Sequence, residues 1–394
     1  MISAWFDNIH FIFMEKEQPI QKFIEAHSEL QTPYYLVDET RLVANMQKIA
    51  YVREKSGAKL LLALKCFATW SVFPLMSQYM DGTTSSSLYE AQLGHEKFGK
   101  ETHAYSVAYT QEEVRAVRNF ATKIIFNSTS QLMSYYDIAK GVPIGLRINP
   151  GFSYSRFDLA DPARKCCRLG VRKEEDLKKI VDQISGVMFH NQCDNDDVEA
   201  FSKNVDRIGE RYSWLLEKME WVSLGGGIYF TKKGYPLDKF CDILKNFSQE
   251  HNVQVYLEPG ESAVTNAGYL VTQVLDIVHN EIDIAIVDAA VESHMLDVLI
   301  YQIPAKVDLE QGVEHRYQIA GRTCLAGDIF GTYNFSDRLH VGSLIPFSDA
   351  IGYTMVKKNW FNGIQMPSIV VLRADGRVEV IKRFEYEDYL QSLS

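Results

Sequence analysis

The sequence predicts an α/β protein: a (β/α)8 barrel of the TIM type followed by a C-terminal all-β domain. Three observations carry that prediction. Short apolar strands alternate with helical periods as far as about residue 268, and eight such strands can be counted there. Beyond that point the helical periods give way to short strands broken by Gly, Asp and Pro. A chain of 394 residues also exceeds the size at which a single core keeps growing, so two domains are expected. The barrel is placed at 37–268 and the β domain at 269–394. Residues 1–36 are available to the second domain, and "TPYYLVD" supplies a strand to either.

The elements follow in order. "TRLVANMQKIAYVREKSG" sets Leu42, Met46 and Ile49 on one helical face and ends at Gly57, as helices commonly do. The eight strands are "KLLLAL" (59–64), a weaker "YMDGTTSS" (79–86), "HAYSVA" (103–108), "KIIFNS" (123–128), "PIGLRINP" (143–150), "VMFHNQ" (187–192), "WVSLGGG" (221–227) and "VQVYLEP" (253–259). Helical stretches such as "EEVRAVRNFA" and "LDKFCDILKNFSQEH" lie between them, which implies parallel pairing. The second domain reads as "GYLVTQVLDIV", "IDIAIVDAA", "HRYQIAG", "DRLHVGSLIPF" and "PSIVVLRADGRVEVIKRFEY", with a hairpin turn at "ADGR".

Composition excludes several classes. Hydrophobic residues make up 46% and charged residues 23%, the balance of an ordinary globular protein. No apolar run reaches the roughly eighteen residues of a membrane-spanning helix, so no membrane partner is expected. In "MISAWFDNIHFIFMEKEQ" the acidic Asp7 precedes the apolar patch and no small-residue cleavage site follows, which argues against a secretory signal. A net charge of −10 argues against nucleic acid. Six scattered cysteines without a CxxC pair form neither a disulfide framework nor a zinc site, so the expectation is no metal and a cytoplasmic location.

The strand tips suggest chemistry. Nearly every barrel strand ends in polar residues or glycine: Lys65, Ser85, Ser106, Asn127, Arg147 and Asn149, His190, Gly225 to Gly227, Glu258. Barrel enzymes build their sites at these ends, so the residues point to one mouth. In "KLLLALKCFA", Lys65 puts a primary amine at the tip of a buried strand. Burial disfavours the ammonium form, and a neutral amine attacks carbonyls to form a Schiff base; the plainer reading is a strand-end lysine reaching for water. Three glycines after a strand expose backbone N–H groups that cradle a phosphate, whereas a tight turn needs only one or two. Amine and cradle together suggest pyridoxal 5′-phosphate. That cofactor also wants an anionic partner for its ring nitrogen and a surface for its ring face. Glu258, fixed by Pro259, suits the first; His190 suits the second or is purely structural.

At this point the motifs resemble a known family. "LLALKCFAT", "DGTTSSSLYE", "GLRINPG", "RLGV", "FHNQC", "LGGG", "YLEPGES", "CLAGD" and "GYT" stand in the order seen in the alanine-racemase-fold (fold type III) decarboxylases that use pyridoxal phosphate. Ornithine, arginine and diaminopimelate decarboxylases belong to that family. The likeness runs from about Thr32 to Tyr389 and is strongest to the branch acting on carboxynorspermidine and carboxyspermidine. It implies that Lys65 bonds the cofactor, His190 stacks on its face, Gly226, Gly227 and Tyr353 serve its phosphate, and Gly260 also lies against the cofactor. It implies that Glu258 partners the ring nitrogen and that Cys324 is a catalytic acid delivered across a homodimer. Its implied activity is decarboxylation of a carboxylated polyamine, in polyamine biosynthesis.

Two departures bear on substrate. Glu261 stands where ornithine-type enzymes carry an arginine after EPG, and Leu325 where diaminopimelate enzymes carry an acid after the cysteine. Glu261 and Asp297 match the substrate pair of the polyamine branch, with Asp328 a third candidate. Carboxylates at the mouth suit ammonium groups, each charge-assisted hydrogen bond being worth roughly 1.5–3 kcal/mol. A diaminopimelate-type decarboxylase, an alanine racemase and a non-catalytic carrier of the cofactor remain the alternatives.

Overall fold

The computed structural model describes residues 20–394. The stretch that argues against a secretory signal lies outside them. The chain forms two compact units: one is Asn45–Thr265, and the other joins the chain up to Ala44 to Asn266–Ser394.

Strand β1 (Tyr34–Asp38) belongs to the second unit. The first unit is a closed parallel barrel of eight strands: β2 (Lys59–Ala63), β3 (Gly82–Thr84), β4 (Glu101–Tyr105), β5 (Lys123–Phe126), β6 (Ile144–Arg147), β7 (Gly186–Met188), β8 (Trp221–Ser223) and β9 (Gln254–Leu257). Pairing of Lys59 with Tyr256 closes the ring. These are the eight strands read from the sequence, and the barrel expectation is borne out. Most strands are shorter than their apolar runs. The polar tips therefore stand just beyond the ladders: Lys65 two residues past β2, His190 two past β7, Glu258 one past β9.

Residues that face inward fill the barrel. Leu61, Tyr105, Ile125, Met188, Trp221 and Tyr256 pack together there. Trp221 fits because Gly145 and Gly186 lack side chains; a Cβ on Gly186 would stand 2.0 Å from the indole. At the strands' N-terminal ends, Glu101 pairs with Lys59 and Lys123, and the Tyr256 hydroxyl donates to Glu101 Oε2 at 3.0 Å. Outside, the helix Val198–Leu216 buries Val198, Phe201, Val205, Ile208, Tyr212 and Leu215, one face at helical spacing. Asp197 caps it by accepting the N–H groups of Glu199 and Ala200. In Glu39–Ser56 the predicted face of Leu42, Met46 and Ile49 is fully buried, and Gly57 follows in the left-handed region at φ +74°.

The second unit is a mixed sheet. Its strands are β1, β10 (Gly268–Asn280), β11 (Ile282–Val287), β12 (Lys306–Val307), β13 (Gln311–Ala320), β14 (Ile329–Phe335), β15 (Leu344–Ser348), β16 (Ser368–Leu372) and β17 (Val378–Lys382). The main path runs β14-β13-β11-β10-β1-β16-β17. β1, open to either domain from its sequence, lies between β10 and β16, and Tyr34 to Val37 are buried. Val37 pairs with Gly268 in this sheet. The "ADGR" turn is a hairpin: Arg373 N–H donates to Arg377 O, with Gly376 at φ +87°.

This unit is not wholly β. Helices Ile20–Ala26, Val291–His294, Leu296–Tyr301 and Tyr386–Gln391 accompany the sheet. All are one or two turns, too short for the 3.6-residue period to stand out. Strand β14 also escapes a sequence reading, because Gly331 interrupts its run at φ +155°.

Candidate active site

The strand tips converge. One cavity at the barrel mouth is lined by Lys65, Ser85, Tyr105, Arg147, His190 and Glu258, among others. β2 carries Lys65 there on a run, Leu60 to Leu64, that is almost wholly buried. The Lys65 side chain is partly accessible, yet the surrounding protein pushes its amine pKa down. Desolvation is the main cause and the Arg147 guanidinium the next; Glu258 opposes them.

Glu258 is buried at the tip of β9 and accepts a hydrogen bond from the Ser223 hydroxyl at 2.6 Å. Burial raises its carboxyl pKa, while Ser223, Lys65 and Arg147 hold the rise back. The Ala63 N–H donates to Pro259 O at 3.0 Å, which joins the tips that carry the lysine and the acid. His190 Nδ1 accepts the Gly226 N–H at 3.1 Å. Burial, then Lys65 and Arg147, keep this imidazole well below its ordinary pKa, so it is neutral with its proton on Nε2.

The glycines are sterically required. A Cβ on Gly226 would stand 2.2 Å from the carbonyl oxygen of Glu258. Gly227 adopts φ +81° and lies equally close to the Gln192 carbonyl. Gly260 leaves room for Cys66, the neighbour of Lys65. Glu261 opens the short helix Glu261–Val264 and accepts a hydrogen bond from Tyr229, whose hydroxyl also lies 3.0 Å from Asp194 Oδ1. One phenolic proton thus serves two carboxylates.

The remaining candidates belong to the sheet unit. Cys324 is exposed on a loop, where its N–H donates to Asn362 Oδ1 at 2.6 Å. Asp328 is buried, and its carboxylate accepts from Val291 N–H, Thr323 N–H and Thr323 Oγ. Asp297 pairs with Lys357, whose ammonium lies 5.0 Å from the centre of the Tyr353 ring. Tyr353 itself adopts φ +52°.

Four functional neighbours escaped the sequence reading. Arg147 was visible as a strand tip but carried no role; it is 5% exposed and donates to the Tyr105 hydroxyl at 3.1 Å. Tyr105 in turn donates to Asn127 Oδ1 at 3.0 Å. Ser223 and Tyr229 flank the glycines, and only the signal of polar residues beside a cradle could have drawn attention to them. Among the described residues no His, Cys, Asp or Glu group could hold a metal ion, and no helix is long and apolar enough to cross a membrane.

Comparison with known proteins decides the family. The model of the pyridoxal-dependent decarboxylases (C-terminal sheet domain) matches residues 34–351. The chain belongs to the pyridoxal-dependent decarboxylase family. Within it, a carboxynorspermidine/carboxyspermidine decarboxylase of Herminiimonas arsenicoxydans is 54% identical over 365 residues, covering 93% of this chain and 100% of that protein. The decarboxylase of the same name from Campylobacter jejuni is 37% identical, covering 92% of this chain and 98% of that one. The crystal structure of carboxynorspermidine decarboxylase from Campylobacter jejuni, complexed with norspermidine, superposes with a TM-score of 0.85 at 36% identity, covering 92% of this chain and 100% of that one. A diaminopimelate decarboxylase from Helicobacter pylori shares the decarboxylase fold at 22% identity, with a TM-score of 0.82.

Proposed function

We propose that this chain is a carboxy-lyase that removes the α-carboxylate of carboxynorspermidine or carboxyspermidine, using pyridoxal phosphate. The observation that carries the reading is an amine of depressed pKa beside a buried carboxylate at the barrel mouth, in a chain 54% identical to a decarboxylase of that name.

The residues fit the cofactor. Lys65 would hold its aldehyde carbon, Glu258 its ring nitrogen and His190 its ring face. The glycine loop, a cradle that a Cβ would fill, would hold the phosphate with the Gly227 N–H as donor, while Gly226, whose own N–H is taken by His190, would leave room for it; Gly260 and Tyr353 would complete the cofactor site. Pyridoxal phosphate, when bound, supplies the electron sink that makes loss of the carboxylate feasible.

The chain's own residues do the rest. Burial first, and then Arg147, disfavours the ammonium form of Lys65. His190, neutral and fixed by the Gly226 N–H, offers a flat uncharged surface. When the bond from the α-carbon to its carboxylate breaks, CO2 departs and its electron pair stays behind. Cys324 Sγ–H then returns a proton to that carbon. The exposed loop of Cys324 suits delivery from a second copy in a homodimer. Glu261 and Asp297 would accept hydrogen bonds from the substrate's ammonium groups. Asp328, with three donors on its carboxylate, serves better as a brace for the Cys324 loop than as a substrate ligand. Six free cysteines fit a reducing cytoplasm.

The deciding experiment is CO2 release from a panel of carboxynorspermidine, carboxyspermidine and diaminopimelate. Turnover of the first two, with diaminopimelate far slower, is the expected outcome; the reverse order would sink the assignment. The two polyamines differ by one methylene, so the preference between them should be modest, about 10–200-fold in kcat/KM.

A further inference from the structure

A serine hydroxyl has one proton, and two fixed neighbours are enough to orient it. Ser223, fully buried at the end of β8, has two such neighbours. Its Oγ accepts the Gly225 N–H at 3.1 Å and donates its proton to Glu258 Oε1 at 2.6 Å. The same loop touches Glu258 twice more. Glu258 N–H donates to Gly225 O at 2.8 Å, and Gly226 lies so close that a Cβ there would stand 2.2 Å from Glu258 O. Gly225, the Ser223 hydroxyl and the Glu258 carboxylate therefore form one continuous hydrogen-bonded unit of buried groups.

We propose that Ser223 is a positioning residue that locks the Glu258 carboxylate to the glycine loop, so that both ends of the cofactor are held by a single rigid piece. The inference rests on reading Glu258 as the partner of the ring nitrogen. With Oε1 occupied by Ser223, Oε2 would be the oxygen left to accept a hydrogen bond from the cofactor's ring nitrogen. The bond also sustains the ionised carboxylate against the burial that opposes it; Lys65 and Arg147 act in the same direction, but only through space. Because Ser223 Oγ bonds both the loop and the acid, displacement of one disturbs the other.

The test compares the full-length holoenzyme with Ser223→Ala, Ser223→Cys and Glu258→Gln. Ser223→Ala should lower kcat about 10-fold while KM stays within about twofold, because the lost orientation matters most as charge develops. Its cofactor dissociation constant should rise about 10-fold, and the Glu258 carboxyl band in the infrared, identified by its absence in E258Q, should titrate about one pH unit higher, as expected for one lost hydrogen bond to a charged group. Ser223→Cys keeps the side-chain shape but offers a weak donor. It should repeat these effects with an unchanged melting temperature, which separates positioning from packing. If both serine variants keep wild-type kcat, cofactor affinity and band position while E258Q loses activity, the positioning role is wrong and the reading of Glu258 stands. An unimpaired E258Q would remove the ground for both.

Discussion

A lysine acts as a nucleophile only when its amine is neutral, and burial, then the neighbouring Arg147, pushes the Lys65 pKa in that direction. Replacing it with alanine should abolish turnover together with the visible absorbance of bound cofactor, read in a spectrophotometer. Arg147 depresses the Lys65 pKa, so R147M should raise it. Cofactor uptake by the apoprotein then needs a higher pH, and the acid limb of the uptake-rate profile moves upward; an unmoved limb would show that burial alone sets the amine. At Glu261 the expected change is in binding. E261Q should raise KM for the carboxylated polyamine about 10-fold, the size of one charge-assisted hydrogen bond, with little loss of kcat. Lys65, Glu258 and the glycines could be proposed from the sequence residue by residue, since each is an unusual type at a strand tip. Ser223 and Tyr229 could not, because their partners stand far off in sequence: Ser223 and Glu258 are 35 residues apart, and Tyr229 and Glu261 are 32 apart.

At the scale of the element, the barrel's N-terminal end carries its own ionic cluster. His103 on β4 is wholly buried, its ring against Tyr256 and Trp221, with Nε2 near Glu101. Burial lowers its pKa from 6.5 to about 4, and the neighbouring Lys123 adds to this while Glu101 opposes it. The folded pKa is thus below the unfolded one. His103 contributes no penalty above pH 6.5, and stability is lost as pH falls from there through about 4, by about 3 kcal/mol at the limit. Urea midpoints measured from pH 7 to 4 should fall less steeply in H103Q than in the wild type. Trp221 makes a second demand. G186A would place a methyl inside the indole, so its melting temperature should drop by several degrees, as overpacking of about 1–3 kcal/mol implies. The strands that form these layers were readable from their apolar runs. Their lengths were not, because a ladder stops where backbone pairing stops, and polarity alone does not mark that point.

At the scale of the whole molecule, the proposed amine and acid lie in the barrel unit and the proposed cysteine in the sheet unit. If Cys324 serves the site of a second copy, K65A and C324A should each be inactive alone, and mixing them under conditions that exchange subunits should restore part of the activity. No recovery on mixing, with exchange verified, would place each site within one chain. The two-unit plan was itself legible, because the helical period ends near residue 268. The exception is β1, which is near the start of the described chain yet lies between β10 and β16.

The order of apolar runs, helical faces and strand-tip residues is a local property; by itself it determined the barrel and the sheet, and it nominated the lysine, glutamate and glycine set. Tertiary structure alone decided which groups touch. Arg147 lowers the Lys65 pKa through space, the Ser223 hydroxyl donates to Glu258, and Asp328 accepts from Thr323 of its own loop and from the distant Val291. The physical reason is that desolvation and hydrogen bonding depend on distance through space, and closing a barrel brings together residues separated by long stretches of chain.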